Sequence, residues 1–404
     1  MNTNRLVHGL FSFLVLLAQP AAAAKMQWNL NDVSYLFALP QGDAQAALDL
    51  LGPREQSGSG PLLPKHLYSR IPTLLLGGNG NETLYNIALR VVAARIDPCP
   101  GLDADACSPE IRLVWQPVEF DQYSKKWLAR DAAVHCFYSL PAEAFESLKQ
   151  DLWKLKLELA NAGVDTKQQA LFVHPALQNE ATAKLFNPTI QQILLKYTGR
   201  HNLDKITFVA LMTPKQWWRF GAFEKTPDGQ WRTADIPRLD LQTVDIFNVA
   251  VEDGVGLGNE AGIDAIFNIF PEEYPEDDNI FAVINKGFRF NDARDRAVFE
   301  SKLDPIARFR NPHRSNTDTL DCASCHYADA TREYISKRFP ELGNFSSPEQ
   351  YPNPAADIYN LANRTVAATS GRNVRAFGFF DDQPVISQRT INESAAVADW
   401  LNSH

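Results

Sequence analysis

Ile111-Arg112-Leu113-Val114-Trp115-Gln116-Pro117-Val118 reads as a β-strand, being rich in the β-branched and aromatic residues that pack on a pleated surface. The apolar stretch Leu84 to Ile96 before it predicts a partner strand. The loop between them places Cys99 and Cys107 on either side of Pro100-Gly101-Leu102-Asp103-Ala104-Asp105-Ala106. In an oxidising compartment these thiols are expected to close that loop as a disulfide and staple a wide β-hairpin, although other pairings stay open. On the C-terminal side, Ala132 to Leu140 predicts a third strand, in which Cys136 reads as a buried free thiol. Pro141 to Ala162 predicts a helix: Phe145, Leu148, Leu152, Leu155 and Leu159 recur at helical spacing, and Gly163 can end it.

Further outward, Asp32 to Leu39 predicts a short strand, and Gln41 to Leu51 a helix stopped by Gly52-Pro53. Ala170 to Val173 predicts a strand running into His174-Pro175. Glu180 to Tyr197 predicts a second amphipathic helix, broken or restarted at Pro188. Ile206 to Met212 and Val244 to Val251 read as strands; Trp217 to Lys225 and Gln230 to Ala234 flank the turn Pro227-Asp228-Gly229. This mixture predicts an α+β fold, with a mainly antiparallel sheet and helices over residues 25–270. The Pro-rich acidic run at 271–279 reads as a linker, a solvated loop more than a calcium site. Residues 280–404 read as mostly helical: Asp292 to Phe309 on either side of Pro305, Tyr327 to Phe339, and a last helix, Ala395 to Leu401, after the capping box Thr390-Ile391-Asn392-Glu393.

A chain of 404 residues with a formal charge of −9 lacks the basic surface that phosphate binding needs, which argues against nucleic acid as a partner. No G-x-G-x-x-G opens a helix after a strand, and P-loop, G-x-S-x-G and H-E-x-x-H motifs are missing, which removes the usual sequence signs of nucleotide binding, serine hydrolysis and zinc proteolysis. Residues 1–24 read as a secretory signal peptide, with Arg5 in the n-region, Leu10 to Ala18 as the apolar core and Ala22-Ala23-Ala24 as the cleavage site. The alternative is an uncleaved anchor, for which the apolar run is short. No later stretch is long and apolar enough to predict a membrane span.

The chemistry sits in Cys322-Ala323-Ser324-Cys325-His326, a C-x-x-C-H stretch. Two thiols three positions apart on one helical turn can each form a thioether to a haem vinyl group, and the adjacent imidazole can bind the iron. A redox-active C-x-x-C or half of a zinc site are the alternatives; zinc would want a second Cys or His pair at ligand spacing. In these five residues the chain resembles the c-type cytochromes. The resemblance implies one covalent haem c attached at Cys322 and Cys325, His326 as proximal iron ligand, a redox protein as partner and a periplasmic home.

Many c-type electron carriers have a methionine after the motif as sixth ligand, and this chain departs from that pattern. Its three methionines are Met1, Met26 and Met212, all before His326. Met212, His313 and His174 are the distal candidates carried forward, with His66, His135 and His201 behind them. His135, inside an apolar run, reads as a satisfied core histidine. An open sixth position would instead fit a peroxidase or a gas sensor. A peroxidase needs a distal base and a cation, for which Arg310, Arg314 and Glu341 are available. A third arrangement leaves the large first domain covering the haem as a docking surface without touching the iron. The pair Trp217-Trp218 reads as core aromatics more than as an electron relay. The expected function is electron transfer through the haem.

Overall fold

The computed structural model describes residues 27–44, 49–71, 74, 81–99, 108–212, 217–234, 249–253, 267–271, 292–316, 319–320, 324–326, 328–329, 347–352 and 376–404. The expected signal peptide, Cys107, Cys322, Glu341 and all of the acidic linker after Pro271 lie outside them. The strands are β1 (Ser34–Leu36), β2 (Gln56–Ser57), β3 (Gly60–Pro61), β4 (Leu89–Asp97), β5 (Glu110–Asp121), β6 (Lys126–Ala129), β7 (Ala132–Ser139), β8 (Leu203–Met212), β9 (Trp217–Lys225), β10 (Trp231–Thr233), β11 (Val249–Asp253), β12 (Phe267–Pro271), β13 (Phe377–Phe380) and β14 (Gln383–Ile386). Among the described residues one ten-stranded sheet runs β1-β4-β5-β7-β8-β9-β12-β11, with β6 on β5 and β10 on β9. Its pairings are antiparallel, so the α+β expectation holds.

Antiparallel register sets the two faces. Arg95, Arg112, Phe137 and Lys205 stand opposite one another in one row across β4, β5, β7 and β8. Val114, His135, Thr207 and Ala222 form a neighbouring row, two residues along. Side chains alternate along a strand, so both rows share a face and the residues between them share the other. The intervening residues Leu113, Cys136 and Ile206 pack with Phe145, Leu148 and Leu152 of the Ala142–Asn161 helix and Phe186, Ile190 and Leu194 of the Glu180–Tyr197 helix. Each such side chain, removed from water, contributes about 1.5–3 kcal/mol before the entropy of ordering it. A second core on the opposite face joins Val92, Val114 and Val118 to Phe377, Phe379, Ile391 and Ala395. The sheet is therefore a middle layer, with long helices on one side and C-terminal elements on the other.

Those C-terminal elements are fastened by specific polar contacts. The buried Gln116 amide acts as a strand partner for β13: its Oε1 accepts from the Phe379 N–H (2.8 Å), and its Nε2 donates to the Phe379 carbonyl (3.1 Å). The terminal helix Gln388–Ser403 returns to the start of the described chain, where the Asn402 amide accepts from the Trp28 N–H (2.7 Å) and donates to its carbonyl (2.9 Å). Ser34 and Ser394 share a buried hydrogen bond of 2.7 Å.

Several local expectations need correction. Leu84–Ala88 forms a π-helical turn, so the strand begins only at Leu89. The segment expected as a strand over Asp32 to Leu39 opens with a helical turn, Leu30–Val33, capped by Asn29. Residues 41–44 and 49–51, at the ends of the expected helix Gln41 to Leu51, are irregular. The Glu180–Tyr197 helix runs unbroken through Pro188, which lies on the exposed face. The carbonyl its ring leaves unbonded can be satisfied by water there. The last helix starts earlier than expected: Ser387 is its cap, accepting from the Thr390 N–H. The expectation of mostly helix after residue 280 missed the β13–β14 hairpin; much of that segment lies outside the described residues.

Candidate functional site

The two cross-sheet rows form one wall of a cleft of about 960 Å³, its open mouth included. Asn316, Leu320, Cys325 and His326 form the facing wall, with Ala376 and Phe377 at the entry to β13, and Arg389, Thr390 and Glu393 on the terminal helix. Residues 324–326 are helical, Ser324 is fully buried, and Cys325 and His326 are half-buried against the cleft. The structure thus brings the second thiol and the histidine of the C-x-x-C-H stretch to the face of the sheet opposite the two long helices.

His135 is the residue that faces them. Its ring centroid lies 6.5 Å from that of His326, the planes inclined by 32°. Phe220 sets its edge against His326 at 5.5 Å. A second, smaller cavity is also lined by both histidines and by Ala376 and Phe377, but extends to Gln116, Asp131 and Phe379. Space therefore opens beyond the histidine pair in two directions. Burial, with Arg112, His326 and Arg95 adding to it, holds the His135 imidazole well below its ordinary pKa, so it is neutral at pH 7.

Cations crowd one end of the cleft. Arg95 is almost fully buried, pairs with Asp97 (3.3 Å) and Glu393, and is pulled down to about 9 by burial and by Arg112. Arg112 pairs with Glu110 (3.3 Å) and lies 4.5 Å over the Phe137 ring, which Lys205 also approaches. Burial raises the Glu110 carboxyl above its ordinary value. Among the described residues, the Nε atoms of Arg95 and Arg112 are buried without a hydrogen-bond partner. A buried donor left unpaired costs about 1–3 kcal/mol, while Asp97, Glu393 and Glu110 offset the charge of these two guanidinium groups. Arg389 plays a different part. It donates to the Phe309 carbonyl (3.0 Å), to Ser315 Oγ (2.7 Å) and to the Ser315 carbonyl (2.7 Å), and it pairs with Glu393 (2.7 Å). It thereby ties the end of the Ala293–Phe309 helix, and the turns leading to the motif, onto the terminal helix.

The remaining expected residues scatter. His174 lies on the helix-covered side, stacked on Phe186 at 4.1 Å, with its Nδ1 accepting from the Ala176 N–H (3.2 Å). Its ring is occupied there, and the structure does not bring it to His326. His313 is exposed beside Tyr351, at 5.3 Å between centroids. His201 is exposed and bonded to Ser59 Oγ (2.7 Å), and His66 is exposed on the short helix Lys65–Tyr68. Met212 ends β8 in register with Trp217; the side chains of Met212, Trp217 and Trp218 are outside what is described. Arg310 pairs with Asp329 at 2.7 Å, and Arg314 lies 3.6 Å from Glu349. Cys99 is disulfide-bonded, while its expected partner, Cys107, lies outside the described residues. Cys136 is buried and not disulfide-bonded.

The expectation that His135 is a satisfied core histidine is overturned. Strand alternation carried the missed signal: Val134, Cys136 and Tyr138 belong to the helix-side core, which leaves His135 and Phe137 on the other face. Comparison with protein-family models, curated proteins and solved structures found no match to this chain.

Proposed function

We propose that this chain is a periplasmic monohaem c-type cytochrome that transfers electrons to and from a redox protein partner. The observation that carries the reading is that Cys325 and His326 of the C-x-x-C-H stretch open onto an apolar cleft with arginines at one end, formed against the face of the sheet opposite the long helices. Each feature of the cleft suits a haem. Val114, Phe137, Ala222, Leu320 and Phe377 offer apolar walls for the macrocycle, and Arg95, Arg112 and Lys205 in the cleft lining suit its propionates. His326 would hold the iron, and Cys325, with Cys322, would form the thioethers. The bound haem supplies a one-electron couple. The chain's own groups set its surroundings: apolar walls limit water, and buried guanidinium groups favour the electron-rich form.

On this reading the segment from residue 280 bears the haem, and the α+β portion at 25–270 is the platform on which it docks. Export follows from the leader-like residues 1–24 and from the motif, since c-type haem is generally attached outside the cytoplasm. Among the described residues no helix is long and apolar enough to cross a membrane. The test is to produce the whole chain in a host that matures cytochromes c, and to record its intact mass and its optical spectra, oxidised and reduced. A mass increment of one haem with a c-type spectrum is expected. A chain without covalent haem, or one that takes zinc at the thiols, refutes the reading.

A further inference from the structure

We infer that His135 is the sixth ligand of the iron, closing the position opposite His326. The inference rests on the haem reading above and goes beyond it by assigning the iron a second axial ligand. The first ground is distance. Metal–imidazole bonds are about 2 Å, and a ring nitrogen lies about 1.1 Å from its ring centre, so two imidazoles on opposite sides of one metal put their centroids about 6.3 Å apart. The observed separation of His135 and His326 is 6.5 Å. The second ground is space. A macrocycle threaded between the pair has to extend on more than one side of it, and the two cavities that share these histidines supply that room, one toward Arg112 and the other toward Gln116.

The third ground is fixation. His135 sits inside the sheet, paired with Val114 on β5 and Thr207 on β8, so its ring is held by a rigid element and not by a loop. Phe220 restricts His326 from the side. The other described histidines are elsewhere: His174 on the helix-covered face, His313, His201 and His66 on the surface, and His404 stacked on Trp400. Ligation needs only the lone pair of a neutral imidazole nitrogen, so no proton or electron changes hands when the bond forms. An iron with both axial positions taken by protein is suited to electron transfer and closed to peroxide or gas. Two histidines also give a lower potential than a histidine with a methionine.

The experiment uses the whole chain matured with haem, as wild type, His135→Ala and His135→Met. Mass reports covalent haem, and spin state, carbon monoxide binding and potential report the ligand. Expected for the wild type are one haem, low-spin iron and no response to carbon monoxide. His135→Ala should keep the same mass, turn high-spin and bind carbon monoxide, with added imidazole restoring the low-spin spectrum. His135→Met should stay low-spin with a raised potential. A wild type that is high-spin and binds the gas, or a His135→Ala protein that stays low-spin, overturns the assignment while leaving haem attachment standing. If His135→Ala does not fold, an unchanged spectrum and potential in His135→Met overturns it equally. A wild type with no covalent haem defeats the underlying reading, and the mass alone distinguishes that failure.

Discussion

His174 offers a pH experiment that separates a structural histidine from an iron ligand. Its imidazole is 6 % exposed, stacks on Phe186 at 4.1 Å and accepts from the Ala176 N–H. Burial holds its pKa down to about 3, against 6.5 for the free side chain. The folded chain thus refuses a proton that the unfolded chain accepts. Stability from this group is intact above pH 6.5 and falls as the pH drops toward 3, by about 1.4 kcal/mol per unit. Between pH 6.5 and 4.5 the loss is about 2.5 kcal/mol, a large share of the 5–15 kcal/mol that usually holds a domain. His174→Asn keeps an acceptor for the Ala176 N–H and does not titrate. Urea unfolding of both proteins from pH 7.5 to 4.5 should give a steeper acid loss in the wild type, by about that amount, whatever the variant's absolute stability. Parallel slopes would refute the assignment of His174 as a buried neutral residue. On the proposed haem reading, the same variant should leave the optical spectrum unchanged, and conversion to high-spin iron would make His174 a ligand after all.

Three further substitutions and a control probe the frame of the fold. Gly378 has φ +157°, and a Cβ there would lie 2.3 Å from Gln116 Oε1, so Gly378→Ala should displace the amide that holds β13 and cost about 2–4 kcal/mol in thermal unfolding. Gly58→Ala, where a Cβ meets nothing within 4 Å, is the near-neutral control. Arg389→Met leaves the Phe309 and Ser315 carbonyls without their buried donor, and Glu393 with Arg95 alone, and should cost about 3–5 kcal/mol by urea unfolding, with faster proteolysis near residue 316. Pro188→Ala restores a helical N–H on an exposed face and should raise stability by about 1–2 kcal/mol, read as a higher midpoint in urea.

The sheet and the two long helices were legible because their signals are local. Trp217–Lys225 and Glu180–Tyr197 fall on their expected bounds, since apolar periodicity over nine or more residues leaves little freedom. Leu84–Ala88 was misread because an apolar run shows no difference between a strand and a tight helical turn packed on the same core. The β13–β14 hairpin was missed because its partner is a glutamine side chain 263 residues away, a contact with no local trace. At the site, the C-x-x-C-H stretch announced itself through spacing alone. His135 could be weighed correctly only by asking which face of its strand it occupies. His174 looked eligible in one dimension, because nothing in a sequence says which side of a sheet a given element covers.

The fastening of the last helix to both Trp28 and the segment before the motif bears on the order in which the cleft is made. β4, β5, β7, β8 and β9 come in this order in the sequence and lie side by side in the sheet, so their pairing can proceed while later residues are still being synthesised. The facing wall comes from Asn316, Leu320, Cys325 and His326 and from residues between Ala376 and Glu393, so the cavity closes only after nearly the whole chain is present. A group carried on the 322–326 stretch would thus arrive with its own wall, as a plug pressed into a socket already formed, and never pass through the mouth. Truncation behind residue 387 should then leave the socket built and permanently open.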